Sequence, residues 1–259
     1  MIEVDNQSAG KIAVVIPASN EELAIRSVVS EALSYCKEVI VVDDGSTDGT
    51  QAALSDLKID CIRHEKPQGK AAALLDGFRF ALDHGFTGII TMDGDGQHKA
   101  SDIPRLLAAA ARYPNHIIIG ARLLQRDAAP PARRLGNSIA DWFISWACGQ
   151  RIVDTQSGQR YYPRAALELA ESLPHSGFVF ESEILVEAAE RLGMRSVSVP
   201  IETRYQEGAR SSHFRPMRDI SSITRMVAIR LLRGGLKLGH LFRSRSSRAI
   251  IVDPTSTRV

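Results

Sequence analysis

Short apolar, β-branched runs alternate with longer stretches of helical periodicity through the first half of the chain. The runs predict five strands, at residues 12–16, 38–42, 59–63, 88–92 and 117–120. The intervening stretches predict helices at 48–57, 70–84 and 103–112, and one after residue 20 whose sheet-facing side carries Val28, Ala32 and Cys36. Strands that alternate with helices of this length indicate an α/β fold with a mostly parallel sheet and right-handed crossovers.

The second half of the chain has a less regular pattern. Residues 122–134 are polar and contain proline, which predicts a long loop. Helices are predicted at 137–148, 181–192 and 216–242, short strands at 158–162 and 196–201, and a loop at 206–213. We expect one domain over residues 1–215, a C-terminal helix over 216–243 and a flexible tail over 244–259.

Polar residues follow each of the first four predicted strands. They lie at residues 17–22, 43–50, 67–70 and 93–98. If the strands are parallel, all four loops lie at the carboxyl edge of one sheet, where open α/β sheets bind their ligands. Four such loops, one with a spaced pair of carboxylates, indicate a site for a nucleotide and a metal ion.

The spaced pair is formed by Asp93 and Asp95, which flank Gly94. Residues two apart in an extended segment point to the same side, so both carboxylates can hold one divalent cation while phosphates and water complete its coordination. Gln97 and His98 extend the polar group. A tight turn is the other interpretation, because Asp-Gly is a common turn dipeptide.

The other loops carry further candidates for ligand binding. Asp44 follows the second strand, where a carboxylate can accept hydrogen bonds from a nucleoside, and Asp48 is assigned mainly to capping the next helix. Asn20 is expected to cap the first helix, with Glu21 and Glu22 in its first turn. Lys70 opens a helix and either meets a phosphate there or is a solvated surface lysine.

Composition narrows the class of protein. The 259 residues are 44% hydrophobic and 24% charged, as in an ordinary globular protein, and the net charge of +2 gives no support for nucleic-acid binding. Three cysteines without metal-ligand spacing favour a reducing compartment. We see neither a signal peptide nor a run of about 18 apolar residues, so we expect a cytoplasmic protein.

In combination and order, several of these segments resemble one known family. They are Pro17-Ala18-Ser19-Asn20-Glu21, Val42-Asp43-Asp44-Gly45-Ser46-Thr47-Asp48-Gly49-Thr50, Asp93-Gly94-Asp95-Gly96-Gln97-His98, Asp154-Thr155-Gln156-Ser157-Gly158-Gln159-Arg160-Tyr161 and Phe178-Val179-Phe180-Glu181-Ser182-Glu183. Over roughly residues 11–205 the chain is similar to family 2 glycosyltransferases of the GT-A fold, and within them to the dolichyl-phosphate mannose synthase-like branch. The resemblance implies a GT-A (Rossmann-like) sheet flanked by helices.

The resemblance also implies roles for individual residues. Pro17, Ser19, Glu21 and Asp44 would contact the nucleoside of a nucleotide-diphosphate sugar (UDP- or GDP-linked). Asp93, Asp95 and Gln97 would bind Mg²⁺ or Mn²⁺ and, through it, the diphosphate. Arg122 and either Arg133 or Arg134 would contact the acceptor's phosphate or the leaving diphosphate, and of these two Arg134 is preferred.

Two departures from the family pattern bear on the reaction. The middle residue of the metal motif is usually Ala in that branch, and here it is Gly94. The Gln-x-x-Arg-Trp signature of processive members is absent, which favours transfer of a single sugar. By resemblance the transfer inverts the anomeric centre. Glu181 is the candidate base if the acceptor is a hydroxyl, whereas a phosphate acceptor is already anionic; a structural role at the helix start is equally open.

The predicted C-terminal helix is basic and amphipathic. Its apolar stripe is Ile220, Ile223, Val227, Leu231 and Leu238, and arginines and Lys237 lie mainly off that stripe. Such a helix can lie on an anionic membrane surface, which would suit a lipid-linked acceptor, by resemblance polyprenyl phosphate, and a peripheral location on the cytoplasmic face. The stripe can equally pack on the domain or on a second subunit of a homo-oligomer.

Two other functions remain open on the sequence. A nucleotidyltransferase that forms nucleotide sugars has a related fold, but its Gly-rich, Arg- and Lys-containing signature is missing after Ile16. A non-catalytic nucleotide-sugar-binding protein is disfavoured by the intact Asp93 and Asp95, although these residues also serve binding.

Overall fold

The computed structural model describes residues 10–124, 131–174, 179–202, 216–233 and 235–253. Within them, seven strands form one sheet. They are β1 (Ile12–Ala18), β2 (Val39–Asp43), β3 (Asp60–Arg63), β4 (Gly88–Thr91), β5 (His116–Ala121), β6 (Arg160–Pro163) and β7 (Arg195–Pro200). All seven strands that the sequence predicts are therefore present, with ends that differ by one or two residues.

The order of strands in the sheet is β3-β2-β1-β4-β6-β5-β7. β6 runs antiparallel to β4 and β5, and the other pairings between strands are parallel. The register places Ala18 beside Asp43 and Asp43 beside Arg63, so the carboxyl ends of β1, β2 and β3 are level. The predicted mostly parallel α/β sheet is confirmed, and with it the common edge on which the polar loops lie.

Helices cover both faces of this sheet. They are α1 (Ile25–Leu33), α2 (Thr50–Leu54), α3 (Lys70–Asp83), α4 (Ile103–Arg112), α5 (Pro131–Cys148), α6 (Arg164–Glu171), α7 (Phe180–Leu192), α8 (Pro216–Arg233) and α9 (Leu238–Ser246). The sequence did not predict α6. α5 begins before the predicted start at 137, with a proline at its first position, where the missing amide hydrogen costs no bond, so the predicted loop at 122–134 is shorter than expected.

The start of α1 differs from the prediction. The helix begins at Ile25, and Asn20 does not cap it, because Asn20 has a left-handed backbone (φ 56°) well before the first helical turn. Its side-chain Oδ1 instead accepts a hydrogen bond from the backbone amide of Thr47 at 2.9 Å. Asn20 therefore joins the loop after β1 to the loop after β2.

Alternation along β1 divides the core between the two faces of the sheet. Ala13 and Val15 belong to one buried cluster with Phe78 of α3, and Val14 and Ile16 belong to the other. Because both faces are covered, the loops at the carboxyl edge are the part of the sheet left open for a ligand.

The C-terminal helix packs on the domain. Ile223, Val227 and Leu231 of α8 are buried in the same cluster as Ala140 and Ile144 of α5. Of the alternatives left open by the sequence, packing on the domain therefore holds for these three residues. The core therefore continues across residue 215, where the sequence predicted a boundary between the domain and the C-terminal helix.

The prediction of one unbroken helix over 216–242 is wrong. After Gly235 (φ 72°), Leu236 and Lys237 also have positive φ values of 61° and 41°, and this kink separates α8 from α9. The indole nitrogen of Trp146 donates to the carbonyl oxygen of Leu236 at 3.0 Å, which fastens the kink to α5. Leu238, predicted on the apolar stripe, is 54% exposed because the kink turns it out of that line.

The predicted loose tail from residue 244 is in contact with the domain over much of its length. α9 continues to Ser246, and Ile251 forms a parallel bridge with Ser198 of β7. Arg105 also pairs with Asp253. Residues 206–213 and 254–259 lie outside the described residues. No helix in the described ranges is both long enough and apolar enough to cross a bilayer.

Adjacent leucines of α8 test this packing. Leu231 is 2% exposed and Leu232 is 69% exposed. We expect Leu231→Ala to lower the free energy of unfolding by about 2–4 kcal/mol because it leaves a cavity, and Leu232→Ala to change it by less than about 0.5 kcal/mol. Urea unfolding of the two variants measures both values. Equal, small effects would show that α8 does not share the core.

Candidate active site

The loops after β1 and β2 are locked together by hydrogen bonds. The amide of Asn20 donates to Ser46 Oγ at 2.9 Å, and the amide of Glu21 donates to Thr50 Oγ1 at 2.8 Å. Asp48 Oδ1 accepts from the amide of Thr50, the first residue of α2, but the N-cap of that helix is Gly49, so Asp48 satisfies this amide from one position before the cap rather than as the predicted cap. These bonds give the nucleoside end of the predicted site a fixed backbone.

Asp44 holds the loop between β3 and α3. Its Oδ1 lies 2.7 Å from His64 Nδ1 and accepts from the amide of Gln68 at 2.7 Å, and its Oδ2 accepts from the amide of Gly69 at 2.8 Å. His64 also lies 3.0 Å from Asp76 through Nε2. Contact of Asp44 with a nucleoside stays a prediction. No local sequence pattern pointed to His64, whose burial depends on α3.

Lys70, Asp93 and Glu181 form the central charged cluster of the edge. Lys70 Nζ lies 2.7 Å from Asp93 Oδ1 and 3.1 Å from Glu181 Oε2. The three residues come from the start of α3, the end of β4 and the start of α7. Lys70 is thus an ion-paired residue of the site, and the solvated alternative is wrong.

The charges in this cluster shift one another's pKa values. Burial alone would raise the pKa of Asp93, but the nearby cationic groups, chiefly Lys70 through its charge and its hydrogen bond, together outweigh burial and hold the pKa well below the usual range. Burial would likewise lower the pKa of Lys70, but Asp93 and Glu181 raise it above its ordinary value. The pair is therefore charged at neutral pH. Burial, with the nearby charge of Asp93, raises the pKa of Asp95.

Asp95 is oriented by Gln97. The backbone amide of Gln97 donates to Asp95 Oδ1 at 3.0 Å, and its side-chain Nε2 donates to Oδ2 at 2.8 Å. His98 is buried, and its Nδ1 accepts from the amide of Asp93 at 3.2 Å. Burial lowers the pKa of His98, so the neutral imidazole positions the Asp93 backbone.

Arg122 is held in place by Asp154. Its backbone amide and Nε both donate to Asp154 Oδ2, and Nη2 donates to Asp154 Oδ1 at 2.6 Å. Asp154 has a positive φ of 52°, and its amide donates to Asp141 Oδ2 at 3.1 Å. Thr155 donates to Asp141 Oδ1 through both amide and hydroxyl. Burial raises the pKa of Asp141 to about 6.

Arg160 is a buried arginine that organises the 154–158 segment. It is 1% exposed, and its guanidinium donates to the carbonyl oxygens of Ser157 and Thr155, both at 2.7 Å, and of Glu181 at 2.9 Å. It therefore links β6, the 154–158 segment and α7. An arginine inside a predicted strand was the available sequence signal, but its partners depend on the tertiary fold.

The donor set suits a divalent cation that a ligand completes. Asp93, Asp95 and Gln97 supply oxygen atoms, which Mg²⁺ and Mn²⁺ prefer. Within the described part of the chain, no group of three or more His, Cys, Asp or Glu is placed to hold a metal ion. Glu181 Oε1 is buried with no hydrogen-bond partner. The residues therefore fit a metal whose remaining positions are filled by phosphate oxygens and water.

For the remaining predicted site residues, the structure shows mainly the element in which each one lies. Pro17 lies in β1, and a Cβ at Gly94 would lie 3.2 Å from its carbonyl oxygen, so the usual Ala would fit only after a small shift. Ser19 and Glu21 lie in the loop that follows β1, and Arg134 lies in α5. The side chain of Arg133 lies outside the described part of the chain. The roles of these residues stay predictions.

Gly158 gives a test of how tightly Asp93 is held. A Cβ at position 158 would lie 2.5 Å from Asp93 Oδ2, so Gly158→Ala must displace that carboxylate. We expect Mn²⁺ binding, followed by EPR of free Mn²⁺, to weaken about tenfold or more, as for loss of an outer-shell partner. Gly239→Ala in α9, where a Cβ meets nothing within 4 Å, should leave it unchanged. Equal Mn²⁺ affinity in both variants would contradict this geometry.

Comparison with known proteins gives one consistent family. The sequence model described as Glycosyl transferase family 2 matches residues 13–169. A UDP-N-acetylglucosamine–dolichyl-phosphate N-acetylglucosaminyltransferase of Methanococcus voltae is 28% identical over 218 residues, which are 76% of this chain and 86% of that protein. A polyprenol monophosphomannose synthase of Mycolicibacterium smegmatis is 31% identical over 201 residues, with coverage of 73% and 75%.

The fold recurs among solved structures. Glucosyl-3-phosphoglycerate synthase from Mycobacterium tuberculosis, crystallised with Mn²⁺, UDP and glucosyl-3-phosphoglycerate, superposes with a TM-score of 0.59 at 22% identity. The alignment covers 88% of this chain and 81% of that one. At this identity the likeness supports the shared GT-A fold and no finer statement.

Proposed function

Because this chain belongs to glycosyl transferase family 2 and is a glycosyltransferase, we propose that it moves a single sugar from a nucleotide-diphosphate sugar to a polyprenyl phosphate. The observation that carries the proposal is the charged cluster of Lys70, Asp93 and Glu181 at the carboxyl edge of the sheet. The two relatives above are named for dolichyl-phosphate and polyprenol acceptors, which supports the same acceptor class here.

The reaction releases a nucleoside diphosphate, and the residues of the edge suit that leaving group. Asp93 and Asp95 would hold Mg²⁺ or Mn²⁺, which, when bound, stabilises the negative charge that develops on the diphosphate. Lys70 stands at the N-terminus of α3, where the helix dipole also favours an anion. Arg122, fixed by Asp154, adds a guanidinium whose orientation is set before substrate binds.

Inversion requires the acceptor to attack from the side opposite the leaving diphosphate. A polyprenyl phosphate oxygen is already anionic, so the attack needs no general base. Glu181 is the base only for a hydroxyl acceptor. Its ion pair with Lys70 keeps the carboxylate near the reacting groups, whichever acceptor is used.

A direct assay tests the proposed reaction. Purified protein with Mn²⁺ is given UDP- and GDP-sugars in turn, together with a short polyprenyl phosphate. We expect release of one nucleoside diphosphate and a radiolabelled sugar that moves into the organic phase. The matched control is the same polyprenol without its phosphate, and a second control contains EDTA. Pyrophosphate release from a nucleoside triphosphate and a sugar phosphate would instead identify a nucleotidyltransferase.

We also propose that the enzyme binds peripherally to the cytoplasmic face of the membrane. The buried stripe of α8 is not available for this contact. Support comes from the exposed apolar residues of the kink and α9, Leu236, Leu238 and Phe242, which lie among arginines. The free cysteines Cys36, Cys61 and Cys148 suit a reducing compartment.

Liposome flotation tests the membrane contact. Deletion of 216–259 would remove part of the core, so point variants are preferable. We expect Leu238→Ser/Phe242→Ser to float less well than the parent with anionic vesicles, and Tyr35→Ser, at an exposed residue after α1, to float equally. Equal flotation of all three proteins would exclude this surface, and size-exclusion chromatography of the same samples would reveal a homo-oligomer that covers it.

A further inference from the structure

We propose that Lys70 makes metal binding at Asp93 and Asp95 conditional on the nucleoside diphosphate. This inference rests on the proposed function, because it concerns the same diphosphate site. Without ligands, Lys70 would pair with the Asp93 carboxylate. With the metal and the diphosphate bound, it would contact a phosphate oxygen instead. Metal and nucleotide would then bind cooperatively, and neither would bind well alone.

The geometry places Lys70 where it competes with a metal ion. Its Nζ lies 2.7 Å from Asp93 Oδ1, on a carboxylate that a metal would also need. Both oxygens of Asp93 lie against Gly158, where a Cβ would lie 2.5 Å from Oδ2 and 2.9 Å from Oδ1, so the carboxylate has little room for a second arrangement. A divalent ion bound to Asp93 must therefore displace the ammonium or sit directly beside it.

Either outcome disfavours the metal alone. An ammonium (+1) and a divalent ion (+2) that lie side by side on one carboxylate repel each other strongly in a partly buried site. Besides Glu181, which already pairs with Lys70, the described residues supply two carboxylates and the Gln97 amide at this point, and no group of three acidic, His or Cys residues among them is placed to hold a metal. Lys70 thus lies on one of the two carboxylates that a metal would use, and a metal bound alone would have only the other carboxylate free.

A diphosphate removes this conflict. Its oxygens can bind the metal and accept hydrogen bonds from the ammonium at the same time, as phosphate oxygens do for lysine at a helix N-terminus. Lys70 need not leave the site, because Glu181 Oε2 already lies 3.1 Å from its Nζ on the other side. A small shift from Asp93 towards Glu181 and the diphosphate frees the carboxylate for the metal.

Thermodynamic linkage makes this inference measurable. If the diphosphate raises the affinity for Mn²⁺ by some factor, Mn²⁺ raises the affinity for the diphosphate by the same factor. Couplings of this kind are typically about 5- to 150-fold. Lys70→Met should lower that factor for two reasons. It removes the charge that weakens binding of Mn²⁺ alone, and it removes a ligand that strengthens binding of the diphosphate.

Two titrations test the inference without any turnover. EPR of free Mn²⁺ gives the affinity for Mn²⁺ alone, and calorimetry gives the affinity for UDP and for GDP with Mn²⁺ and with EDTA. We expect Lys70→Met to bind Mn²⁺ alone about tenfold more tightly than the parent, and to bind the accepted nucleotide less tightly when Mn²⁺ is present. Lys70→Gln repeats the experiment if Lys70→Met does not fold.

Matched variants locate the effect. Lys66→Met removes an exposed lysine four positions away and should leave the affinity for Mn²⁺ and for UDP or GDP unchanged. Asp95→Ala combined with Lys70→Met should lose the gain in Mn²⁺ affinity, because the gain belongs to the acidic pair. Equal or weaker binding of Mn²⁺ alone by Lys70→Met would overturn the inference.

Failure of the inference differs from failure of the proposed function. If the parent binds neither UDP nor GDP more tightly with Mn²⁺ than with EDTA, both the conditional metal site and the metal assignment are wrong. If Mn²⁺ strengthens nucleotide binding equally in the parent and in Lys70→Met, the metal assignment stands and only the role of Lys70 is refuted.

Discussion

Asp95→Ala should lower kcat/KM for nucleoside diphosphate release by about 10³-fold or more. Asp95 is one of the two carboxylates proposed to bind the metal, and Gln97 orients both of its oxygens. Charge stabilisation of a leaving group by a metal is worth several kcal/mol, and a loss of about 4 kcal/mol corresponds to about 10³-fold in rate. The residual rate would come from Arg122, Lys70 and substrate positioning.

The same variant should fold as well as the parent. Burial and the charge of Asp93 raise the pKa of Asp95, so the ionised side chain lies in an environment that disfavours its charge. Its removal therefore should not lower the thermal midpoint measured without metal. Asp83→Ala, at an exposed aspartate near the end of α3, is the control and should retain full activity. Unchanged turnover in Asp95→Ala would refute the metal assignment.

Arg160→Met should lower the free energy of unfolding by about 3–5 kcal/mol, because it leaves several buried acceptors without a donor. The guanidinium donates to three carbonyl oxygens and to the Tyr162 hydroxyl, and it is 1% exposed. Methionine fills part of the space but donates nothing, so the carbonyl oxygens lose buried partners, each at a cost of about 1–3 kcal/mol. Urea unfolding followed by circular dichroism measures the loss.

An exposed arginine with similar bonding is the control. Arg26 makes a two-point ion pair with Asp56 and also donates to the carbonyl oxygen of Ala53, but its side chain is 52% exposed. Arg26→Met should cost no more than about 1 kcal/mol, because water replaces the lost bonds at the surface. If the two variants lose equal stability, Arg160 is not the organiser of the 154–158 segment.

Features with a local physical signal were predicted correctly. Val39–Asp43 and Gly88–Thr91 are strands because their β-branched, apolar side chains are buried on both faces of a parallel sheet. Asp93 and Asp95 follow such a strand, as predicted, but the chain turns at Gly94 and Asp95, so the extended geometry expected for the pair is not what the structure shows and their metal role stays a prediction. The predictions that failed concern places where distant segments meet, such as Asn20, whose side chain bonds to Thr47 rather than to its own helix.

The sequence by itself determined the α/β sheet, its polar edge and the acidic pair, because periodicity and spacing act within a few residues. Only the tertiary structure decided that Lys70 pairs with Asp93 and Glu181, that Arg160 is buried among carbonyl oxygens, and that α8 packs on α5. A charged side chain is solvated or paired according to what surrounds it, and its surroundings come from elements far apart in the chain. Local patterns therefore specify which groups can react, and packing specifies which of them meet.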